Sequence, residues 1–303
     1  MRFSIYQSSR QGGRKYNQDR VAYSYSKDAL LMVVADGMGG HLHGEVAAQI
    51  TVQMLAETFQ KQARPTLRNP FDFLTGAMVA VHDAIDDYAS QHDLLETPRT
   101  TCVACVVQND LAYWAHVGDS RLYLFRGGQL VVRTRDHSRI QQLYEQGQIT
   151  EAQMSIHPDR NKIYNCLGGL IPPDVELSKI TPVVEGDTFL LCSDGLWSML
   201  TVNEIASVVG AYPIDRALPE LLDHAEFRGG EEGDNLSVLG MTWGGPPRQA
   251  PAQSVSTATM PLDAFTTRLD RFDTAREGDG GVSDEEIEQA IAEIQMAIKK
   301  FSK

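Results

Sequence analysis

Apolar runs separated by short polar turns fill most of residues 1–245, and runs of this length and composition predict β-strands. Two of the turns, Asn109-Asp110 and Gly127-Gly128, are two residues long and carry residue types that tolerate positive φ. Because two-residue turns join antiparallel neighbours, the pattern predicts antiparallel sheets. The predicted strands are Phe3–Ser8, Arg20–Ser26, Leu30–Ala35, Thr100–Val107, Leu111–Val117, Arg121–Phe125, Leu130–Arg133, Thr188–Cys192 and Leu236–Trp243.

Other stretches place their apolar residues at the helical period of about 3.6 residues and predict amphipathic helices. The two long ones are Gly44–Lys61 and Phe71–Gln91, and the two short ones are Val202–Val209 and Leu218–Ala225. Hairpin strands combined with long amphipathic helices favour an α+β fold in which helices cover the sheets in layers.

Residues 137–173 depart from this pattern. His137–Gly147 is compatible with a helix, whereas Ile156–Pro173 is irregular and rich in Gly and Pro. A long irregular segment inside a compact domain is often a functional loop, although composition alone supports an inert surface insertion equally well.

The chain changes character after Trp243, and the predicted domain covers residues 1–245. Residues 246–282 are rich in small and polar residues with little periodicity, which predicts a flexible linker. A capping box opens residues 283–303, where isoleucines recur at the spacing of a C-terminal amphipathic helix. Because so short a helix is marginal alone in water, we expect it to dock on its own domain or on a partner.

Composition narrows the function classes. The chain has 303 residues and a net charge of -13, which argues against general nucleic-acid binding because that needs a basic face. The apolar runs are too short to span a bilayer, and no apolar signal segment opens the sequence, so we expect a cytoplasmic protein without a membrane partner. Cys102 and Cys105 lie three apart on a predicted strand and therefore point to opposite faces, which disfavours a shared metal.

Carboxylates stand where several predicted strands begin or end. Asp36 and Asp194 each follow a strand and precede a glycine, and Asp234 stands just before the last strand. Asp19 and Asp119 hold similar positions. Any one of them alone is a common turn former. Five that converge would repel one another strongly unless cations neutralised them.

A convergent set of carboxylates suits one kind of chemistry. Hard divalent cations such as Mg²⁺ and Mn²⁺ take oxygen ligands, which carboxylates supply. Two such cations roughly 3.5–4 Å apart can share a bridging water, lower its pKa and hold phosphate oxygens. The acidic set therefore indicates metal-assisted hydrolysis of a phosphate ester.

Five motifs in order make the indication specific. Together they resemble the metal-dependent protein phosphatase family, the protein phosphatase 2C type in its bacterial form, over roughly residues 3–243. The motifs are Arg14-Lys15-Tyr16-Asn17-Gln18-Asp19, Asp36-Gly37-Met38-Gly39-Gly40-His41, Val117-Gly118-Asp119-Ser120-Arg121, Ser193-Asp194-Gly195-Leu196 and Gly233-Asp234-Asn235.

The resemblance implies a fold and a set of roles. The fold is a central sandwich of two antiparallel β-sheets flanked by α-helices, and residues 137–170 match the flap beside the active site. The implied cofactors are two Mn²⁺ or Mg²⁺ ions, with a third, weaker site in bacterial members. Among the implied metal ligands, Asp36 bridges both metals, the Gly37 carbonyl binds the second, and Asp194 and Asp234 bind the first. Asp19 holds metal-bound water in the outer shell, and Asp119 contributes to the third site. Arg14 binds the substrate phosphate, and Asn235 orders the site through hydrogen bonds.

The sequence departs from the family pattern at two places. Gln18 replaces a glutamate that is common before the first aspartate, so the outer shell is less negative and we expect one metal to bind more weakly. Met38 stands where animal members carry a histidine proposed as general acid, and nearby His41 is a weaker candidate than a water for that proton transfer.

The resemblance implies a phosphatase that hydrolyses phosphoserine and phosphothreonine in proteins through a hydroxide bridging the two metals. Its implied partners are phosphorylated proteins and the pathway of a Ser/Thr protein kinase. Two alternatives remain: a catalytically weak phosphatase-like module that binds or regulates phosphoproteins, and a small-molecule phosphohydrolase using the same site. The first alternative predicts the loss of a core ligand, and none is missing from the motifs.

Overall fold

The computed structural model describes residues 1–38, 43–154, 157–160, 162–244 and 254–269. Its strands are β1 (Arg2–Arg10), β2 (Asp19–Tyr25), β3 (Ala29–Asp36), β4 (Cys102–Gln108), β5 (Leu111–Val117), β6 (Arg121–Arg126), β7 (Gln129–Arg133), β8 (Glu176–Leu177), β9 (Thr181–Pro182), β10 (Thr188–Cys192), β11 (Leu236–Trp243), β12 (Ser254–Ser256) and β13 (Thr266–Leu269). Its helices are α1 (Gly44–Gln62), α2 (Pro70–Gln91), α3 (Arg139–Glu145), α4 (Glu151–Met154), α5 (Asp194–Trp197), α6 (Val202–Ala211) and α7 (Ile214–Gly229), with a 3₁₀ turn at Gly230–Glu232.

The strands form two antiparallel sheets. The first runs in the order β12-β1-β11-β10-β6-β7, and the second in the order β13-β2-β3-β4-β5-β8, with β9 also paired to β5. Strands β5 and β6 are consecutive in the chain but belong to different sheets, so the turn between them crosses from one sheet to the other. The predicted α+β sandwich of two antiparallel sheets is confirmed.

Alternating side chains of the central strands build separate cores on the two faces of each sheet. In β3, Leu30 and Met32 pack between the sheets, whereas Leu31 and Val33 pack beneath α1 and α2. A third core joins the outer face of the first sheet to α5, α6 and α7. A strand buried on both faces reads as an unbroken apolar run, which explains the sequence of β3. Cys102 and Cys105 likewise fall in different cores, as their spacing predicts.

The predicted long strands and helices are all present, with small differences at their ends. The helix predicted over His137–Gly147 is shorter, because Ser138 caps α3 by accepting a hydrogen bond from the Gln141 amide at 3.3 Å. The sequence patterns did not indicate α4, α5, β8 or β9, which are too short to show a period. Within the described ranges, every helix is too short or too polar to cross a bilayer.

The linker predicted over 246–282 needs a correction. Strand β12 pairs with β1 and β13 pairs with β2, so this part of the tail extends one edge of each sheet. Short strands at a sheet edge take their hydrogen bonds from the neighbouring strand, so a polar composition does not reveal them. The rest of the predicted linker and the predicted helix at 283–303 lie outside the described residues, apart from 257–265.

Two side chains fasten this extension to the domain. Thr257 is buried, accepts a hydrogen bond from the N-terminal ammonium at 2.7 Å, and donates one to the Lys27 carbonyl at 2.6 Å. The ring of Phe265 packs edge-to-face on the ring of Phe59, with 6.5 Å between centroids. Residues 254–269 are therefore part of the folded domain.

We predict that truncation after Gly244 destabilises the domain and that truncation after Leu269 does so far less. The shorter chain leaves two sheet edges unpaired and exposes part of the Phe59 ring. A loss of about 1–2 kcal/mol in the free energy of unfolding corresponds to a fall in Tm of about 2–8 °C. Thermal unfolding of both truncations provides the measurement, and equal Tm values would contradict the prediction.

A matched pair of point variants separates the packing contribution from the effect of chain length. Phe265→Ala removes the contact with Phe59 and lowers Tm, whereas Leu262→Ala changes a side chain that is 57% exposed and leaves Tm nearly unchanged.

Candidate metal centre

Several elements bring the five predicted aspartates to one end of the sandwich. Asp19 opens β2 and lies directly opposite Asp36, the last residue of β3, in the antiparallel register. Asp194 opens α5 just after β10, and Asp234 stands just before the neighbouring strand β11. Asp119 lies in the turn that crosses from the second sheet to the first. The fold thus gathers residues that are more than 200 positions apart in the chain.

The electrostatics of Asp36 and Asp194 place both side chains near the other predicted aspartates. Desolvation by the surrounding protein raises the pKa of Asp36 well above its usual range, and the charges of Asp19, Asp194, Asp119 and Asp234 raise it further. The pKa of Asp194 is raised in the same way, first by desolvation and then by Asp119, Asp234 and Asp19. Asp36 and Asp194 therefore each lie within electrostatic reach of several other aspartates.

Asp19 and Asp119 are buried, whereas Asp36, Asp194 and Asp234 keep part of their surface open to solvent. Burial raises the pKa of Asp19 to about 6, although hydrogen bonds from Ser193 and Ser237 oppose the increase. Burial and the nearby charge of Asp136 raise the pKa of Asp119 to about 7. The cluster therefore has a partly solvent-exposed side, formed by Asp36, Asp194 and Asp234, and a buried side, formed by Asp19 and Asp119.

The donor set fits divalent cations with oxygen ligands. All five side chains are carboxylates, which hard cations prefer, and cation binding would relieve the repulsion that contributes to the raised pKa values of Asp36 and Asp194. No three of these carboxylates, all of them described, bring one oxygen each within 4.8 Å of the others.

Close backbone contacts fix the loop that carries Gly37. A Cβ atom on Gly37 would lie 2.4 Å from the Gly44 carbonyl oxygen, so this position excludes any larger residue. The Gly37 amide donates to the Gln18 carbonyl at 3.2 Å, and the Met38 amide donates to the Arg99 carbonyl at 3.0 Å. The remainder of this motif, including His41, lies outside the described residues.

A serine that the sequence did not single out holds Asp19. The Ser193 hydroxyl donates to the Asp19 carboxylate at 2.6 Å and accepts from the Ser237 amide at 3.0 Å. These contacts join β2 to the strand ends that carry Asp194 and Asp234. The one sequence signal was the position of Ser193 directly before the Asp194-Gly195 pair.

Asn235 organises the loop that carries Arg14. Its side-chain oxygen accepts from the Gln18 amide at 2.9 Å, and its side-chain nitrogen donates to the Gln11 and Tyr16 carbonyls at 2.7 and 2.9 Å. One amide thus ties both ends of the segment 11–18 to the start of β11. This arrangement agrees with the ordering role that the resemblance implies.

Arg14 reaches the aspartates from this loop. Its guanidinium forms an ion pair with Asp234 at 2.6 Å, and its side chain is 51% exposed. The charge of Arg14 also opposes the rise in the pKa of Asp194, so its influence extends beyond its direct partner. An exposed, planar guanidinium beside the carboxylates is well placed to meet an incoming phosphate.

Buried partners support the turn at Asp119. The Trp197 indole donates to the Asp119 carbonyl at 3.0 Å, and the guanidinium of Arg121 stacks over the same indole at 3.7 Å. Arg121 also forms a buried two-point ion pair with Asp136, at 2.8 and 2.6 Å. The sequence analysis missed Trp197 and Asp136, because neither stands in a motif that points to this turn.

Gln18, the departure from the family pattern, has a defined partner. Its side-chain nitrogen donates to the Glu45 carboxylate at 3.0 Å, in the first turn of α1. The weaker binding of one metal that its neutral side chain implies stays a prediction.

Comparison with known proteins supports the family that the motifs resemble. The sequence matches the family described as Protein phosphatase 2C over residues 7–226. It is 33% identical over 229 residues to a putative protein phosphatase 2C-type of Streptococcus pyogenes serotype M6, which covers 74% of this chain and 91% of that protein.

Solved structures agree in fold. The serine/threonine phosphatase of S. agalactiae superimposes with a TM-score of 0.73 at 30% identity, covering 80% of this chain and 100% of that one. The catalytic domain of the serine/threonine protein phosphatase PstP, solved in complex with two manganese ions, has a TM-score of 0.68 at 29% identity and covers 80% and 98% of the two chains.

Fold and site together define a metal-dependent hydrolase of phosphoproteins. The chain belongs to the protein phosphatase 2C family. The family match stops at residue 226, before the two edge strands β12 and β13.

We predict that Asn235→Ala both destabilises the domain and weakens substrate binding. It leaves the Gln18 amide and two carbonyls without their partner, which costs about 1–3 kcal/mol. The loop then holds Arg14 less firmly, so KM for a phosphate ester rises. Thermal unfolding and steady-state kinetics test this, with Asn203→Ala as control because Asn203 is an exposed residue of α6. Unchanged KM and Tm for Asn235→Ala would contradict the role.

Proposed function

We propose that this protein removes phosphate from phosphoserine and phosphothreonine residues of proteins by attack of a water that two divalent cations activate. The observation that supports this most directly is the convergence of five aspartates, distant in sequence, at one end of the sandwich, with Arg14 beside them. The relatives named serine/threonine phosphatases support the same substrate class.

The residues that would hold the cations are Asp36, Asp194, Asp234 and the carbonyl of Gly37, with Asp119 at a third, weaker site. When bound, Mn²⁺ or Mg²⁺ supplies an activated water at neutral pH and neutralises charge on the phosphate. Asp19, fixed by Ser193, supports the centre from behind the exposed carboxylates.

Arg14 would bind and orient the substrate. The guanidinium of Arg14 pairs with Asp234, and the side chain is half exposed. Its remaining N–H donors can therefore bond phosphate oxygens while it stays in place. The partly exposed carboxylates lie beside it, so a phosphate held by Arg14 is placed next to the hydrolytic centre.

The two alternatives receive less support. A module that binds phosphoproteins without hydrolysing them predicts that part of the acidic set is lost or displaced, whereas all five aspartates converge. A small-molecule phosphohydrolase would use the same centre, and only a substrate comparison separates it from a protein phosphatase. The pathway of a Ser/Thr protein kinase as partner and a cytoplasmic location stay predictions.

We predict that Asp36→Asn lowers kcat/KM for a phosphopeptide by more than about 100-fold, because loss of a ligand should exceed the effect of losing one of its supporting contacts. Phosphate release in the presence of Mn²⁺ is the measurement. Asp110→Asn is the matched control, since Asp110 is exposed in a hairpin turn. A fully active Asp36→Asn enzyme would be incompatible with the proposed centre.

Substrate class is tested with the unaltered chain. Phosphoserine and phosphothreonine peptides are compared with a panel of phosphorylated metabolites at equal concentration. The proposal expects higher kcat/KM for the peptides, and turnover restricted to metabolites would favour the second alternative.

We predict that Arg14→Ala raises KM for a phosphopeptide about tenfold, because charge-assisted hydrogen bonds to phosphate are lost. Arg14→Lys should restore only part of the affinity, since lysine keeps the charge but not the fork. Arg10→Ala is the control, because Arg10 pairs with Asp223 and Glu226 on the surface. Equal KM values for the Arg14→Ala and Arg10→Ala enzymes would argue against the assignment.

A further inference from the structure

Described residues near the two ends of the segment 138–163, between β7 and β8, pair with each other. Ser138 and Ile163 form an isolated antiparallel bridge, and the Arg139 amide donates to the Lys162 carbonyl at 2.9 Å. One residue further out, the Tyr164 amide donates to the His137 carbonyl at 3.0 Å. His137, Tyr164 and Asn165 therefore form the neck at which this loop, residues 138–163, joins the domain.

His137 also holds the turn that carries Asp119. Its backbone amide donates to the Gly118 carbonyl at 3.0 Å, and its ring atom Nδ1 accepts from the Gly118 amide at 3.2 Å. Gly118 directly precedes Asp119 and has a φ of 102°. A Cβ there would lie 2.6 Å from the Thr101 side chain, so the turn has little room to shift.

Asn165 links His137 Nδ1 to the backbone of Asp174. Its side-chain nitrogen donates to His137 Nδ1 and to the Asp174 carbonyl, both at 2.7 Å. Its side-chain oxygen accepts from the Asp174 amide at 3.1 Å. His137, Asn165 and Gly118 are all buried, so the bonds among these three residues are shielded from competing water.

These bonds assign the tautomer of His137 and exclude another role for it. Ligand atoms of His116, His137 and Glu176 lie within 4.8 Å of one another, a spacing that suits a metal. However, Nδ1 of His137 accepts from a backbone amide, so Nε2 carries the proton and donates to Glu176 at 3.2 Å. A protonated Nε2 has no lone pair for a metal.

We propose that His137 is a positioning residue that couples the neck of loop 138–163 to the Asp119 turn and thereby sets the affinity of the weakest cation site. This inference rests on the proposed function, because it takes Asp119 as a ligand of that site. The direct link is the bond from the Gly118 amide to His137 Nδ1, one residue from Asp119.

Other contacts explain why this bond matters. The Asp119 turn is short, and its remaining support comes from the Trp197 indole on the Asp119 carbonyl and from Ser120, whose hydroxyl lies 2.7 Å from that of Thr101. Those contacts come from α5 and from Thr101, the residue before β4. His137 contacts the turn from the side of loop 138–163. A displacement of the neck would therefore move the Asp119 carboxylate through the contacts of His137.

Two substitutions of His137 distinguish the contribution of the hydrogen bonds at Nδ1 from that of the hydrogen bond at Nε2. In His137→Asn, the side-chain oxygen can occupy the place of Nδ1, and its two lone pairs can accept from both Gly118 and Asn165. In His137→Gln, the side-chain nitrogen can occupy the place of Nε2 and donate to Glu176, but the Gly118 amide loses its acceptor. The first variant keeps the side-chain bond to the Gly118 amide and the second removes it, whereas both keep the backbone bond from residue 137 to the Gly118 carbonyl.

The test is calorimetric titration of the full chain with Mn²⁺, without substrate. We expect Asp119→Ala to abolish the weakest binding step, His137→Gln to weaken that step about tenfold, and His137→Asn to stay within about twofold of the unaltered protein. Hydrolysis of an aryl phosphate by the His137→Gln enzyme should then recover at high Mn²⁺, which a general folding defect would not produce.

Three results would overturn the inference. They are an unchanged Mn²⁺ titration for Asp119→Ala, equal weakening by both His137 variants, and wild-type Mn²⁺ affinity for His137→Gln. If the unaltered chain fails to hydrolyse phosphopeptides, the proposed function fails, but the titration still decides the role of His137.

Discussion

Like charges held together in a partly desolvated volume are the constraint on which this end of the molecule depends. Burial raises the pKa values of Asp36 and Asp194 well above the usual range, and the charges of the neighbouring aspartates raise them further. Such a cluster costs folding free energy until cations enter. The surrounding bonds from Ser193, Asn235 and Trp197 do not neutralise the cluster, but they fix the backbone that carries it. Stability is thus given up locally for an arrangement that binds cations.

The β-sandwich can hold these carboxylates together because several of its strands begin or end at the same end of the fold. Asp19 and Asp36 face each other across one strand pair, and Asp194 and Asp234 flank the neighbouring strands of the other sheet. Only Asp119 belongs to the chain crossing between the sheets, and it therefore depends most on contacts outside the strand ladders. The aspartate at the weakest predicted cation site thus stands on the least regular support.

The sequence predicted the parts of the fold that rest on repeated patterns. Strand β3 is buried on both faces, so its apolar run was unmistakable, and α1 and α2 are long enough to show their period. Strands β12 and β13 escaped, because edge strands of three and four residues depend on a partner rather than on their own composition. The aspartates were found because motifs carry them. Ser193 and His137 were not identified as supports, because their roles consist of contacts with residues far along the chain.

Gln18 shows how the number of charges in this cluster is limited. Its side-chain amide donates to Glu45, so a glutamate at this position would set two carboxylates against each other unless one were protonated or a cation lay between them. The neutral amide gives Glu45 a donor, and its own backbone accepts from Gly37 and donates to Asn235. The residue therefore joins the first helix, the Gly37 loop and the start of β11 without adding charge. At this position the sequence keeps the connections that order the centre while reducing the repulsion that the fold must withstand.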